Sequence, residues 1–310
     1  MELDGRRIKE GLRLGLRKGL SGFLWIMKIL VPVSLFTALL AWTGWLGHLD
    51  FFLKPTMSIL SLPAMATLPL LIGMLTGIYG GIAAMSVLPF SQDQMTLMAI
   101  FLLIAHNLIQ EGTVQAKSGI HPLKATLFRL VAATFTVIAV APFFNVTMTA
   151  SERTGSSLEI TRPLIEALQE WGLTTLTLSV KIFVIIMCIL TLLEILKTFD
   201  LINPMVRALS PLLKIMGLDQ KVGFLWLTAV IFGVAYGGAV IVEEVKAGHL
   251  NKEQLEELHL SIGINHALVE DPSLFLSLGL NPFWLWVPRV IVAILAERVL
   301  TLWRVLKRRK

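Results

Sequence analysis

The chain has 310 residues, 55% of them hydrophobic, and a mean hydropathy of +0.75. Only 15% are charged, against about 25% in typical soluble domains, so the chain cannot cover its own surface in water. The net charge of +6 collects at the two chain ends beside apolar runs, which marks membrane anchors rather than a nucleic-acid partner. The single cysteine, Cys188, excludes an internal disulfide and a multi-cysteine metal site.

Residues 1–19 carry Arg6, Arg7, Lys9, Arg13, Arg17 and Lys18, with Ile8, Leu12, Leu16 and Leu20 at four-residue spacing. That pattern predicts an amphipathic helix lying on the membrane surface. The apolar run over 22–46 is longer than a signal-peptide core, and no small-x-small site closes it, so it reads as an uncleaved first span. Further runs near 63–90, 94–110, 123–144, 176–199, 222–242 and 282–303 reach or approach the roughly 20 residues that cross a bilayer. The run near 258–269 is shorter and less apolar, and 306–310 is a basic tail. These elements predict an all-α fold, a polytopic membrane helical bundle whose first partner is the lipid bilayer.

The chain also repeats itself. Gln94, Ile104, His106, Leu108, Gly119, Pro122, Arg129 and Ala133 recur as Gln254, Ile264, His266, Leu268, Gly279, Pro282, Arg289 and Ala293, each displaced by 160 positions. In the same alignment Glu111 faces Asp271 and Thr113 faces Ser273. Upstream, Tyr79-Gly80-Gly81 matches Tyr236-Gly237-Gly238, and these are the two tyrosines of the chain. Lys28-Ile29 matches Lys181-Ile182, and Leu39-Leu40 matches Leu192-Leu193. The repeats therefore cover 20–148 and 173–305, joined by a polar linker over 149–172.

The basic ends place both termini in the cytoplasm, and the linker, with no cationic bias, outside. Each half then crosses an odd number of times, so the two are inverted repeats. With about four apolar segments per half, one segment in each must be re-entrant or a hairpin.

Each half also carries a polar interruption. The first reads from His106-Asn107 through Glu111-Gly112-Thr113, the second from Asn265-His266 through Glu270-Asp271-Pro272-Ser273. Gly112 and Pro272 are expected to end the helices there, and Pro122 and Pro282 to start new ones. Interrupted helices in a membrane are tolerated only where protein or a water-filled cavity satisfies the freed backbone. These residues are the candidate solute site, together with Tyr79, Gly80, Gly81, Tyr236, Gly237 and Gly238. For the paired glycines, close helix packing, a hairpin tip and a hinge all stay open.

Arg129 and Arg289 lie about two turns into their helices and are candidates for buried pairing with Glu111 or Asp271. Lys28 and Lys181 either snorkel to the interface or pair with a carboxylate inside the bundle. Glu243 and Glu244 either line the site or mark a membrane exit. His106 and His266 suit proton transfer, a metal, a helix cap or plain hydrogen bonding. The spacing of the histidines and acids matches no HExxH-type signature, so neither a metal site nor an intramembrane enzyme is expected.

The two Tyr-Gly-Gly segments, each followed by a broken helix and a Pro-started helix, resemble the nucleoside recognition, or Gate, domain membrane proteins. That group is related to spore maturation membrane proteins and to the Gate regions of ferrous iron and concentrative nucleoside transporters. The resemblance covers nearly the whole chain as two fused Gate units and implies, at family level, a homodimer. It does not supply a full nucleoside-site motif. The cysteines of the related iron transporters are missing apart from Cys188, and no P-loop occurs. The expected function is a secondary transporter or permease of the bacterial inner membrane for a small polar or anionic solute, nucleoside-like if the resemblance extends so far. A coupling proton or sodium ion through Glu111, Glu270 and Asp271 is expected, and no cofactor. The alternatives are a translocase for a lipid or lipid-linked precursor, and a non-transporting assembly or maturation factor.

Overall fold

The computed structural model describes residues 2–45, 55, 57–146, 163–199, 201, 204, 208, 211, 220–248 and 250–308. Every regular element among them is helical. Four segments, 7–42, 92–117, 122–143 and 164–198, are long and apolar enough to span a bilayer. Their flanks expose large apolar side chains such as Leu24, Phe36, Leu173 and Leu176, the surface a lipid-facing bundle requires.

Helix α1 runs from Glu2–Trp42 without a break. The separate surface helix expected over 1–19 is thus not formed. Its residues continue directly into the first span, because Gly11, Gly15 and Gly19 put a small-residue stripe on one face. That stripe lets α1 approach the backbone of a second long helix, α7, Leu164–Thr198. A Cβ at Gly15 would lie 2.5 Å from Thr191 Cα, and one at Gly19 would lie 2.6 Å from Met187 Sδ. Gly11 meets Ile195 and Thr198, while further along Trp171 Nε1 donates to Ser34 Oγ at 3.0 Å. The two helices therefore run antiparallel, as the leading helices of inverted repeats must. Because α7 begins at Leu164, residues 164–172 belong to it rather than to the linker, and 147–162 lie outside the described residues.

Helices α2, Thr67–Thr76, and α3, Ile78–Ser86, answer the question of the re-entrant segment. Gly77 separates them at φ 96°, ψ 176°, a conformation open in practice only to glycine. A Cβ on Gly81 would sit 3.5 Å from Gly73 Cα, whereas eight residues of straight helix would hold those positions about 12 Å apart. The chain therefore reverses into a tight hairpin with its tip at Gly77. In the second half, α8, Gln220–Lys246, carries the matching irregularity at Gly233, φ 75°, ψ 172°.

After the first hairpin come α4, Gln92–Ala105, α5, Leu108–Lys117, and α6, Pro122–Val140. The second half follows with α9, Lys252–Asn265, α10, Glu270–Phe275, and α11, Pro282–Arg308. Helices α4 and α9 open on matching capping boxes, Ser91 with Gln94 and Asn251 with Gln254. Both proline starts are found where expected. The breaks, however, come earlier than Gly112 and Pro272. Helix α4 ends at His106 and Asn107, the latter left-handed at φ 49°, and α9 ends at His266 and Ala267, the latter at φ 47°. Gly112 is buried inside α5 beside Pro122 and Thr126 of α6. Pro272 occupies the first turn of α10, where a missing N–H costs no helical bond.

Candidate functional site

Each break leaves helix-end carbonyls and amides without intrahelical partners. The amides are taken up by the neighbouring hairpin: Asn107 N donates to Gly73 O at 3.1 Å, and Ala267 N and Leu268 N donate to Ala229 O and Val230 O at 3.3 and 2.8 Å. The carbonyls are taken up by arginine. Arg129 Nε and Nη2 donate to Ile104 O and His106 O at 2.7 and 2.8 Å. Arg289 Nε donates to Ile264 O, and its Nη2 to His266 O at 2.6 Å. Both guanidinium groups are 1% exposed, and the fork of fixed donors suits two carbonyls one turn-end apart.

This arrangement turns the two histidines toward each other. His106 Nδ1 donates to Leu102 O at 2.7 Å and His266 Nδ1 to Ile262 O at 2.9 Å, since a carbonyl can only accept. Their Nε2 atoms face one another at 3.3 Å. Glu111 Oε1 lies 3.3 Å from His106 Nε2 and 3.1 Å from His266 Nε2. Asp271 Oδ2 lies 3.4 and 3.9 Å from the same two atoms. Arg129 Nη1 holds the other oxygen of Glu111 at 2.7 Å. All six side chains are buried. The cluster pairs each residue with its repeat counterpart, so it sits on the approximate twofold between the halves. Such an array can hold a cation or store protons.

A second polar layer lies beside it. Tyr79 OH donates to Glu270 Oε1 at 2.8 Å, linking the first hairpin to the second break. Tyr79→Phe should therefore destabilise the detergent-solubilised protein by about 1.5–3 kcal/mol, the range for a hydrogen bond to a charged group. A loss below 0.5 kcal/mol in thermal unfolding, on the same order as an exposed substitution, would remove this bond from the account.

Other expected site residues fall elsewhere. Thr113 and Ser273 bond the carbonyls of Ile109 and Val269 in their own segments. Asn107 reaches Gln110, and Asn265 is buried with no hydrogen-bond partner for its amide. Gly80 and Gly81 are buried at the hairpin crossing, so hairpin packing is their role. The side chains of Tyr236, Gly237 and Gly238 lie outside the described residues. Glu243 is exposed and Glu244 half-buried near the end of α8, and neither contributes to the cluster's ion pairs. Lys28 and Lys181 are exposed and make no ion pair among the described residues, which fits the snorkelling alternative. Lys181 instead lines a cavity of about 470 Å3 with Ser86, Thr174, Thr177 and Ser277.

Sequence reasoning missed Trp286, whose Nε1 donates to Leu268 O at 2.8 Å inside the second break. It also missed the pair of Lys18 with Glu194 at 2.8 Å across α1 and α7. A lone acid four residues from the end of a long apolar helix was the available signal for the latter.

The chain is 27% identical to an uncharacterized membrane protein, YvoD, of Bacillus subtilis (strain 168), over 294 residues that cover 93% of each protein. No family model matches it, and no solved structure matches it. With its apolar helices, the likeness identifies a helical membrane protein.

Proposed function

We propose that this membrane protein is a secondary transporter or permease of the bacterial inner membrane, with both termini cytoplasmic. The observation that carries the reading is the convergence of two broken helices, one from each half, on a single buried polar cluster. Inverted repeats with interrupted helices meeting between the halves are a recurrent design for alternating access. Charged residues buried in a membrane bundle are costly and are kept for function.

The packed cluster has no room for a nucleoside-sized molecule and serves as the coupling site, taking a proton or other cation. The solute has a separate place. The cavity beside Lys181 is lined from both halves, mostly by apolar side chains such as Met85, Phe90 and Leu278, with Lys181 and the hydroxyls of Ser86, Thr174, Thr177 and Ser277 as its polar groups. Its volume falls in the range of small-molecule sites, and its chemistry suits a small polar or anionic solute. Rocking the halves apart would break the His106–His266, Glu111–His266 and Tyr79–Glu270 contacts and expose the cluster to one side at a time.

Two rival readings fare worse. An assembly factor has no use for breaks filled with ionisable groups. A lipid translocase built on Arg129 and Arg289 would open them to the bilayer, whereas both are buried, Arg129 against two carbonyls and Glu111 and Arg289 against two carbonyls.

The test is cysteine accessibility in a Cys188→Ser background. Single cysteines replace Glu159 in the linker, Arg308, Gly112 and Ser273. A Cβ at Gly112 meets only ordinary contacts, at 3.7 Å, so that variant should fold. We expect an impermeant reagent added outside to label position 159 and spare 308. Positions 112 and 273 should label from either side, depending on conditions. Labelling of 159 only from the cytoplasm, or sealing of 112 and 273 under every condition, would remove the transporter reading.

A further inference from the structure

We infer that the buried cluster is a binding site for a first-row transition-metal dication of the zinc type. Its ligands would be His106 Nε2, His266 Nε2, Glu111 Oε1 and Asp271 Oδ2. The inference rests on the transporter reading for its place in a transport cycle, while the binding itself stands on geometry.

The first argument is orientation. Both Nδ1 atoms donate to backbone carbonyls, which fixes the tautomer and turns each Nε2 lone pair inward. A carbonyl partner on the far nitrogen is the usual outer support of a metal-bound imidazole. Two imidazole nitrogens and two carboxylate oxygens, all acceptors, then point at one centre. Asp271 Oδ2 is buried there with no hydrogen-bond partner. Four converging lone pairs repel one another unless positive charge sits among them.

The second argument is size. A tetrahedral ion with bonds of about 2.0–2.1 Å spaces its ligands about 3.3–3.4 Å apart. The five separations that involve a histidine nitrogen are 3.3, 3.3, 3.4, 3.1 and 3.9 Å. The donor set gives the third argument. Paired imidazoles select borderline cations such as Zn2+ or Co2+, whereas Na+ and Mg2+ prefer oxygen throughout. His106, His266 and Asp271 bring their ligand atoms within 4.8 Å of one another, and Glu111 Oε1, within 3.3 Å of both histidine nitrogens, would supply the fourth position, which describes an ion held rather than a hydrolytic centre with a water position.

Each half supplies one histidine and one carboxylate. The ion therefore bridges the halves, and opening the site on one side would take away two of its four ligands. Its affinity is thereby tied to the conformation of the transporter, as a moved or coupling ion requires.

The experiment uses the purified full-length Cys188→Ser protein, so that no thiol competes, with Co2+ as the spectroscopic probe. We expect one Co2+ per chain, intense visible bands of tetrahedral coordination, and displacement by Zn2+. His266→Gln and Asp271→Asn should weaken Kd by more than about 100-fold, the upper end of the loss seen on removing an outer-sphere support. His121→Gln, at an exposed histidine, should leave it unchanged. Absence of stoichiometric binding by the parent protein overturns the inference, whether or not the variants fold, as does equal binding by well-folded His266→Gln and Asp271→Asn. A protein that alternates access yet takes up no Co2+ keeps the transport reading and makes protons the occupant. One that binds Co2+ at the cluster but labels from a single side loses transport and keeps the metal.

Discussion

Arg129→Leu should lower the stability of the solubilised protein by about 3–5 kcal/mol, the cost of breaking a buried ion pair by removing one partner, whereas Arg289→Leu, whose guanidinium bonds the carbonyls of Ile264 and His266, should lower it by about 1.5–3 kcal/mol, the range for hydrogen bonds to a charged group. In the first variant the carbonyls of Ile104 and His106 lose their donors and Glu111 loses its cation, all within the membrane. None of these groups can reach water instead. Lysine should not rescue, because one ammonium cannot reproduce the planar fork that reaches two carbonyls and a carboxylate together. The measurement is thermal unfolding in detergent, with Arg7→Leu, at an exposed position, for comparison. Equal stability of Arg129→Leu and Arg7→Leu would mean that the helix ends are satisfied some other way.

Gly15→Leu is expected to have the second largest effect. The Cβ it introduces would lie 2.5 Å from Thr191 Cα. That atom belongs to backbone and cannot rotate aside, so α1 and α7 must separate along their length. Overpacking of this kind costs about 1–3 kcal/mol, and separation would also part Lys18 from Glu194. Gly5→Leu, with nothing within 4 Å of its Cβ, should stay within about 0.5 kcal/mol of the parent. Similar losses in the two variants would show that the stripe does not set the helix separation. Disulfide trapping between cysteines placed at 11 and 198 reports the separation directly: it should be efficient in the parent and weak in Gly15→Leu.

The membrane class, the helical content and the pairing of equivalent positions were legible in the amino-acid order. Composition is a bulk property, and a chain this apolar has no other solvent. The repeat alignment pointed to Arg129, Arg289, His106, His266, Glu111 and Asp271, because the same residue types recur in the same places.

Other features were decided only by tertiary structure. Gly77 is compatible with a kink, a hinge or a reversal, and the reversal follows from the close crossing of Gly73 and Gly81. Gly112 and Pro272 read locally as helix ends. The breaks moved to the histidines because hairpin carbonyls and arginine donors there compensate the freed backbone. The basic N-terminal segment has the pattern of a surface helix, yet its glycine stripe found a partner 176 positions away, where Lys18 meets Glu194. The meeting of His106 with His266 is a contact across 160 positions. Periodicity records which face of a helix is apolar. Which buried faces meet is set by the packing of the two halves.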